Sequence, residues 1–278
     1  MEILGRYVRE DAAMKYLVIG NGYVGRRVIA LLAKSGRPYI VADRTSDIEA
    51  IMASSFTPRV VFNCAGYTGV PNVDACETEK EKTLRDNLLL PQRLVRVCER
   101  WSAILVHVSS GCLYQGGPWT EEDPPNFSGS FYSLSKILAE DTVRTWARHY
   151  TFRIRMPFSG ANEPKNLLIK LKNYPRLINY TNSLSHIDDA VKAMIALVYN
   201  QAPFGTYNVV NPGIISTEEI ARMMKLKPEW VSREEFSHMI VAPRSECTLS
   251  TAKLEQFVDI RPVYDALRKS IKEMKEDL

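Results

Sequence analysis

No stretch of this sequence approaches the ~20 consecutive apolar residues that a membrane-spanning helix needs, which argues against a bilayer span. Cysteine is scarce and patternless. The five residues Cys64, Cys76, Cys98, Cys112 and Cys247 are odd in number and show no CxxC spacing. That argues against a disulfide or zinc framework and for reduced thiols, as in a cytoplasmic protein. Histidine is scarcer still. His107, His149, His186 and His238 lie scattered, without HExxH or other ligand spacing, so no metal is expected. Charge of one sign is hardly in excess: 36 Lys+Arg against 32 Asp+Glu, a net +4. This is too weak to indicate a nucleic-acid partner, although it suits an anionic diphosphate ligand. Internal repeats and low-complexity tracts are missing. The first thirteen residues, MEILGRYVREDAA, mix both charge signs and hold no apolar core. They are expected to be an extension ahead of the first strand rather than a secretory signal.

What is present is ordinary globular material: 278 residues, 45% hydrophobic and 24% charged. That suits one large α/β domain, with or without a small second lobe. Strand and helix signals alternate from residue 16. Apolar runs at 16–19, 39–42, 59–63, 103–109 and 152–156 predict five strands. Helical spacing predicts helices over 26–35, 77–101 and 130–149. In the helix over 77–101, Leu88, Leu89, Leu94, Val95 and Cys98 are placed on the apolar side. This alternation predicts an α/β fold with a doubly wound parallel sheet. Past Pro157 the pattern breaks into shorter, proline-punctuated elements, closed by an amphipathic helix over 263–274. The expected division is residues 14–160 for the sheet domain and residues 161–278 mainly for a smaller substrate-capping lobe, with some segments returning to the sheet.

Three groups of residues carry chemistry. Gly20-Asn21-Gly22-Tyr23-Val24-Gly25 is a GxGxxG match that follows a predicted strand and opens a predicted helix. In that setting the glycines permit a tight turn and let backbone amides approach a pyrophosphate, a Rossmann-type dinucleotide site. At the end of the second strand, Asp43 can accept from ribose hydroxyls and favours NAD(H), whereas Arg44 can pair a 2′-phosphate and favours NADP(H). Tyr132 and Lys136 form a YxxxK pair on one face of a predicted helix, after a strand ending in Ser109 and Ser110. A phenol near an ammonium and a serine hydroxyl can exchange a proton with a carbonyl oxygen. Cys112, two residues past Ser110, is either a packed thiol or an acid–base group at the mouth of the sheet. Lys170 reads on its own as a solvated lysine. Arg244 reads equally as a diphosphate clamp and as a surface ion-pair residue.

These residues, with the stretches VFNCAGYTGVPNVDACE, SSGCLY, EEDPPNFSGSFYSLSK, RIRMP, EPKNLLIK, GTYNVVNPG and IVAPRS, resemble the extended short-chain dehydrogenase/reductases. More closely, they resemble the reductases of 6-deoxysugar nucleotide synthesis, above all the bifunctional 3,5-epimerase/4-reductases that form UDP-L-rhamnose. The resemblance implies that Ser110, Tyr132 and Lys136 serve ketone reduction and that Cys112 and Lys170 form an epimerase pair. It implies a cofactor site including Cys64, Ala65, Gly66 and Pro157 and a substrate site including Asn87 and Arg244. The implied ligands are NADP(H) in preference to NAD(H), and a UDP- or dTDP-linked 4-keto-6-deoxy-glucose. A homodimer is an allowed assembly. The rival expectations are a 4-reductase alone, a GDP-4-keto-6-deoxymannose epimerase/reductase, and an NADP-binding regulatory subunit without catalysis.

Overall fold

The computed structural model describes residues 14–43, 48–53 and 56–276. The extension read over residues 1–13, and Arg44, lie outside the described residues.

Six parallel strands form the main sheet: β1 (Tyr16–Ile19), β2 (Tyr39–Ala42), β3 (Val60–Asn63), β4 (Ile104–Ser110), β5 (His149–Ile154) and β6 (Gly205–Asn208). Their order across the sheet is β2-β1-β3-β4-β5-β6, so the direction of strand addition reverses between β1 and β3. Alternate residues of β1 feed separate cores. Tyr16 and Val18 join Val28, Leu32, Phe62 and Phe152 on one face, whereas Leu17 and Ile19 join Leu94, Val95, Cys98 and Leu105 on the other. Both faces are apolar because helices cover both: α1 (Gly25–Lys34) and α5 (Ile187–Tyr199) on the first, α2 (Leu90–Trp101) and α3 (Phe131–Arg144) on the second. This is the expected doubly wound α/β fold.

A smaller unit sits at the carboxyl ends of the strands. It contains α4 (Leu167–Asn173), α6 (Val263–Glu276) and short strand pairs joining 176–178 to 229–231 and 181–182 to 215–216. Phe158, Leu168, Leu177, Leu184, Ile215, Val263 and Leu267 form its own core. Residues 205–208, though late in the chain, belong to the main sheet.

Two sequence expectations are corrected. The single helix over 77–101 is instead three pieces, Ala75–Thr78, Lys80–Leu84 and α2, with a π-helical turn at Arg85–Leu89 joining the last two. Pro91 stands in the first turn of α2. It has no N–H to give, and its ring collides with the carbonyl one turn earlier, so the wider turn absorbs it. The extra residue shifts the register: Asp86 and Asn87 turn inward, and Leu89, expected on the apolar side, is 49% exposed. The helix over 130–149 stops at Arg144, and His149 already starts β5, which pairs with β4 from its first residue.

Candidate active site

The glycine turn connects β1 to α1. At Gly20 (φ +94°) a Cβ would lie 2.8 Å from the Ala65 amide nitrogen, and at Gly25 it would lie 1.9 Å from the Gly20 carbonyl oxygen. These two glycines close the turn. At Gly22 an added Cβ would meet nothing within 4 Å, so space is left there for a ligand. The first turn of α1 has no side-chain cap and no acidic residue. Its positive dipole end suits an anionic diphosphate. The turn stands at the strand-order reversal, where open α/β sheets bind their ligands. The residues present therefore fit a dinucleotide. Asn21 and Asp43 are exposed, Asp43 at the end of β2 beside this turn.

A cavity of about 770 Å³ opens beyond the turn. Gly22, Tyr23 and Val24 line the end next to the glycine turn, with Cys64, Ala65 and Gly66 after β3 and Pro157 after β5. Ser110, Cys112, Tyr132 and Lys136 line its floor, and Lys170 and Arg244 reach it from the smaller unit. Gly20, Gly25, Asn21 and Asp43 do not line it.

The floor is held from several sides. Ser130 caps α3 by accepting from the Ser133 N–H at 3.1 Å, and Glu77 Oε1 accepts from the Phe131 N–H at 2.7 Å. These bonds satisfy orphan amides of the first turn, where Tyr132 sits. The Ser133 hydroxyl donates to the Cys112 carbonyl oxygen at 2.7 Å, and the Cys112 N–H donates to Ser110 Oγ at 3.1 Å. Ser110 also acts on the Tyr132 phenol, favouring its charged form. Behind them, Arg153 and Glu140 pair at 2.7 Å while 1% and 2% exposed, and Ser109 donates to Glu140 at 2.5 Å. This pair fixes α3 against β4 and β5.

Electrostatics divide the roles. Burial pushes the Tyr132 phenol well above its usual value and the Cys112 sulfur adds to this, while Ser110 and Arg155 oppose it. The phenol therefore keeps its proton near neutral pH. The cation facing it is Arg155 rather than Lys136. Burial brings Lys136 down to about 8, against the pull of Glu140. Lys136 Nζ donates to the Val108 carbonyl oxygen at 3.0 Å and lies 3.3 Å from His107 Nε2. His107, driven far down by burial and then by Lys136, is neutral. Lys170 is lowered by burial first, then by Lys165 and Arg244, with Cys112 acting in the opposite direction. Cys112 and Lys170 are thus electrostatic neighbours across the cavity.

Two expected substrate residues are already engaged. Asn87, turned inward by the π-turn, accepts from the Tyr67 N–H at 2.7 Å and donates to the Tyr67 carbonyl oxygen and Ser135 Oγ, each at 3.0 Å. It orders the loop after β3. Arg244 pairs with Asp74 at 2.8 Å and donates to Asn72 Oδ1 at 3.3 Å, which clasps the smaller unit to the sheet domain. Two cavity residues escaped the sequence reading. Lys165 donates to Thr68 Oγ1 and the Gly69 carbonyl oxygen, each at 2.9 Å. Arg155 donates to Cys112 Sγ at 2.9 Å.

The chain is similar along 94% of its length to two proteins of Arabidopsis thaliana. One is a trifunctional UDP-glucose 4,6-dehydratase/UDP-4-keto-6-deoxy-D-glucose 3,5-epimerase/UDP-4-keto-L-rhamnose-reductase, 34% identical, of which the match covers 42%. The chain thus spans less than half of that trifunctional relative. The other is a bifunctional dTDP-4-dehydrorhamnose 3,5-epimerase/dTDP-4-dehydrorhamnose reductase, 32% identical, of which the match covers 93%. The crystal structure of the L780 UDP-rhamnose synthase from Acanthamoeba polyphaga mimivirus superposes with a TM-score of 0.87 at 28% identity, covering 94% of this chain and 99% of that one. The model of the RmlD substrate binding domain matches residues 14–276, and the chain belongs to that family.

Proposed function

We propose that the protein reduces the 4-keto group of a UDP- or dTDP-linked 6-deoxy sugar after epimerising it at C3 and C5. One observation carries the reading. The Ser110 hydroxyl, the Tyr132 phenol, the Cys112 thiol and the Lys170 amine share a single cavity that continues to the glycine turn. The relatives with epimerase and reductase named together support it.

A nicotinamide dinucleotide, when bound, supplies the hydride. Gly22 to Gly25 and the start of α1 would hold its diphosphate, and Lys136 its nicotinamide ribose; NADPH is the expected form. Ser110 and Tyr132 hydrogen-bond the oxygen on C4. That contact acidifies the protons on C3 and C5 and stabilises the enolate oxygen. Cys112 and Lys170 exchange those protons on opposite faces of the ring. In the reduction Tyr132 gives its proton to the C4 oxygen, the direction that its raised titration favours.

The test uses UDP-4-keto-6-deoxy-glucose. In D₂O without cofactor, the sugar should gain deuterium at C3 and C5, since epimerisation needs no hydride. With NADPH added, NMR should identify a UDP-L-rhamnose-type product. Reduction of a pre-epimerised sugar without any exchange would leave a 4-reductase alone. Neither exchange nor reduction would overturn the reading.

A further inference from the structure

We propose that Arg155 is the positioning residue of Cys112, its buried guanidinium holding the sulfur as a thiolate aimed into the cavity. The proposal rests on the epimerase reading of Cys112 given above.

Arg155 is 2% exposed. Arg153, two residues earlier and equally buried, has its charge matched by Glu140. Among the described residues no carboxylate pairs with Arg155. Its NH1 donates to Cys112 Sγ at 2.9 Å, and its NH2 donates to Asn182 Oδ1 and the Ser245 carbonyl oxygen, each at 2.6 Å. Its Nε has no partner. A buried cation left without a counter-charge is strongly unfavourable. Of the groups that Arg155 touches, an amide, a carbonyl and a thiol, only the thiol can become an anion.

The surroundings keep the guanidinium on the sulfur. A Cβ at Gly111 would lie 3.0 Å from Arg155 Cδ and 2.8 Å from Leu249 Cδ1, so the arginine stem packs directly against this glycine. Asn182 and Ser245 fix the far side of the guanidinium. The remaining titratable groups facing the sulfur are Tyr132 from α3, Cys247 from strand 247–249 and Lys170 from α4. Burial holds the protons on Tyr132 and Cys247, and Cys247 spends its own on the Gly111 carbonyl oxygen at 3.1 Å. Among the groups in contact with the guanidinium, the Cys112 sulfur is thus the one able to balance its charge.

The step then balances. The Cys112 thiolate takes a proton from the ring carbon, so S–H forms as C–H breaks. The electron pair moves into the enolate, whose oxygen Ser110 and Tyr132 hold. Lys170 as ammonium returns a proton to the opposite face, N–H breaking as C–H forms. Thiol and amine exchange protons with water to reset. Arg155 acts through the sulfur, to which its NH1 donates at 2.9 Å.

The experiment measures alkylation of Cys112 by iodoacetamide near neutral pH, resolved by peptide mass spectrometry, in the full chain. Arg155→Met should slow it about tenfold or more, and Arg155→Lys should restore part of the rate. In the same variants deuterium exchange should fall about tenfold further than reduction of a pre-epimerised sugar. Alkylation indifferent to Arg155, or equal loss of exchange and reduction, overturns the proposal. If Arg155→Met does not fold, the ultraviolet difference spectrum of wild type minus Cys112→Ser decides: a thiolate band near neutral pH supports the proposal, and its absence overturns it. The two readings fail separately. Wild-type exchange with Arg155-indifferent alkylation removes the Arg155 coupling and keeps the epimerase. Arg155-dependent alkylation without wild-type exchange removes the epimerase and keeps the coupling.

Discussion

The cavity has two banks built by different means. The sheet bank carries Ser110, Cys112, Tyr132 and Lys136 on a strand end and an adjoining helix. It is fastened by the buried Arg153–Glu140 pair, and breaking such a pair by removing one partner costs about 3–5 kcal/mol. The bank of the smaller unit carries Lys165, Lys170 and Arg244. Its clasp, Arg244 on Asp74, has side chains 21% and 26% exposed, so water screens it more than the Arg153–Glu140 pair. The sheet bank is thus the rigid one, suited to aiming a proton within a fraction of an ångström. The other bank supplies positive charge on weaker moorings, suited to gathering an anionic ligand.

The sharpest way to break this comparison is Tyr132→Phe. If the sheet bank performs the reduction, removing one hydroxyl should lower kcat about 100-fold or more, with cofactor affinity little changed. Steady-state kinetics and a cofactor titration measure both. An unchanged kcat would remove Tyr132 from the reaction, and a variant that fails to fold would make it structural.

Next comes a pair of substitutions, one on each bank. Cys112→Ser and Lys170→Ala should each slow deuterium exchange about 30-fold, because each removes a proton carrier. Reduction of a pre-epimerised sugar should fall far less, within about fivefold, since Ser110, Tyr132 and Lys136 remain. NMR should find the two variants deficient at different carbons or in different directions of transfer. If Lys170→Ala leaves exchange intact, the softer bank contributes charge alone.

The banks also differ in how far the sequence reveals them. β1 to β4, α1 and the glycine turn follow from local signals: apolar runs, helical spacing and glycines at fixed intervals. Ser110, Tyr132 and Lys136 were legible because a strand end and a helix start deliver them. The π-turn was hidden, since one inserted residue before Pro91 resets the register in a way that no helical period displays. Lys165 and Lys170 look alike in sequence; only the tertiary fold sets which of them donates to the 68–69 loop and which faces Cys112. Arg155 had a signal that went unused. RIRMP places two arginines at the end of a strand expected to be buried, and buried arginines require partners.

Lys136 offers a pH test of the sheet bank. Burial brings its ammonium down to about 8 in the folded protein, against the ordinary lysine value of 10.5. If that ammonium holds the cofactor, kcat/KM for reduction should fall above pH about 8, approaching tenfold per unit. The stability sign is opposite. Between the two values the unfolded chain binds a proton that the folded protein has released, so stability rises with pH there. Other groups titrate in that range, so the comparison is with Lys136→Met. The wild type should gain on the variant between pH about 8 and 10.5 in urea titrations. A constant difference would show that Lys136 is not held down by burial.

The smallest expected effect lies farthest from the reacting carbons, at Asp43. Its carboxylate ends β2 beside the glycine turn, where Ala42 accepts from the Gly20 N–H at 2.7 Å. An adenine ribose bound there would present either two hydroxyls, which a carboxylate accepts from, or a 2′-phosphate, which it repels. The reductive direction of the proposed reaction, and Arg44 as the next residue, set the expectation at NADPH. Repulsion between Asp43 and a phosphate about 5 Å away in water-like surroundings is roughly 1 kcal/mol per unit charge. Asp43→Asn should therefore raise kcat/KM for NADPH about fivefold and lower that for NADH, with epimerisation unaffected because no dinucleotide charge enters it. Competition between the two cofactors at equal concentration measures the ratio directly. A wild-type preference for NADH of about tenfold or more would show that the carboxylate governs this end of the cavity, and NADPH would then be the wrong reductant.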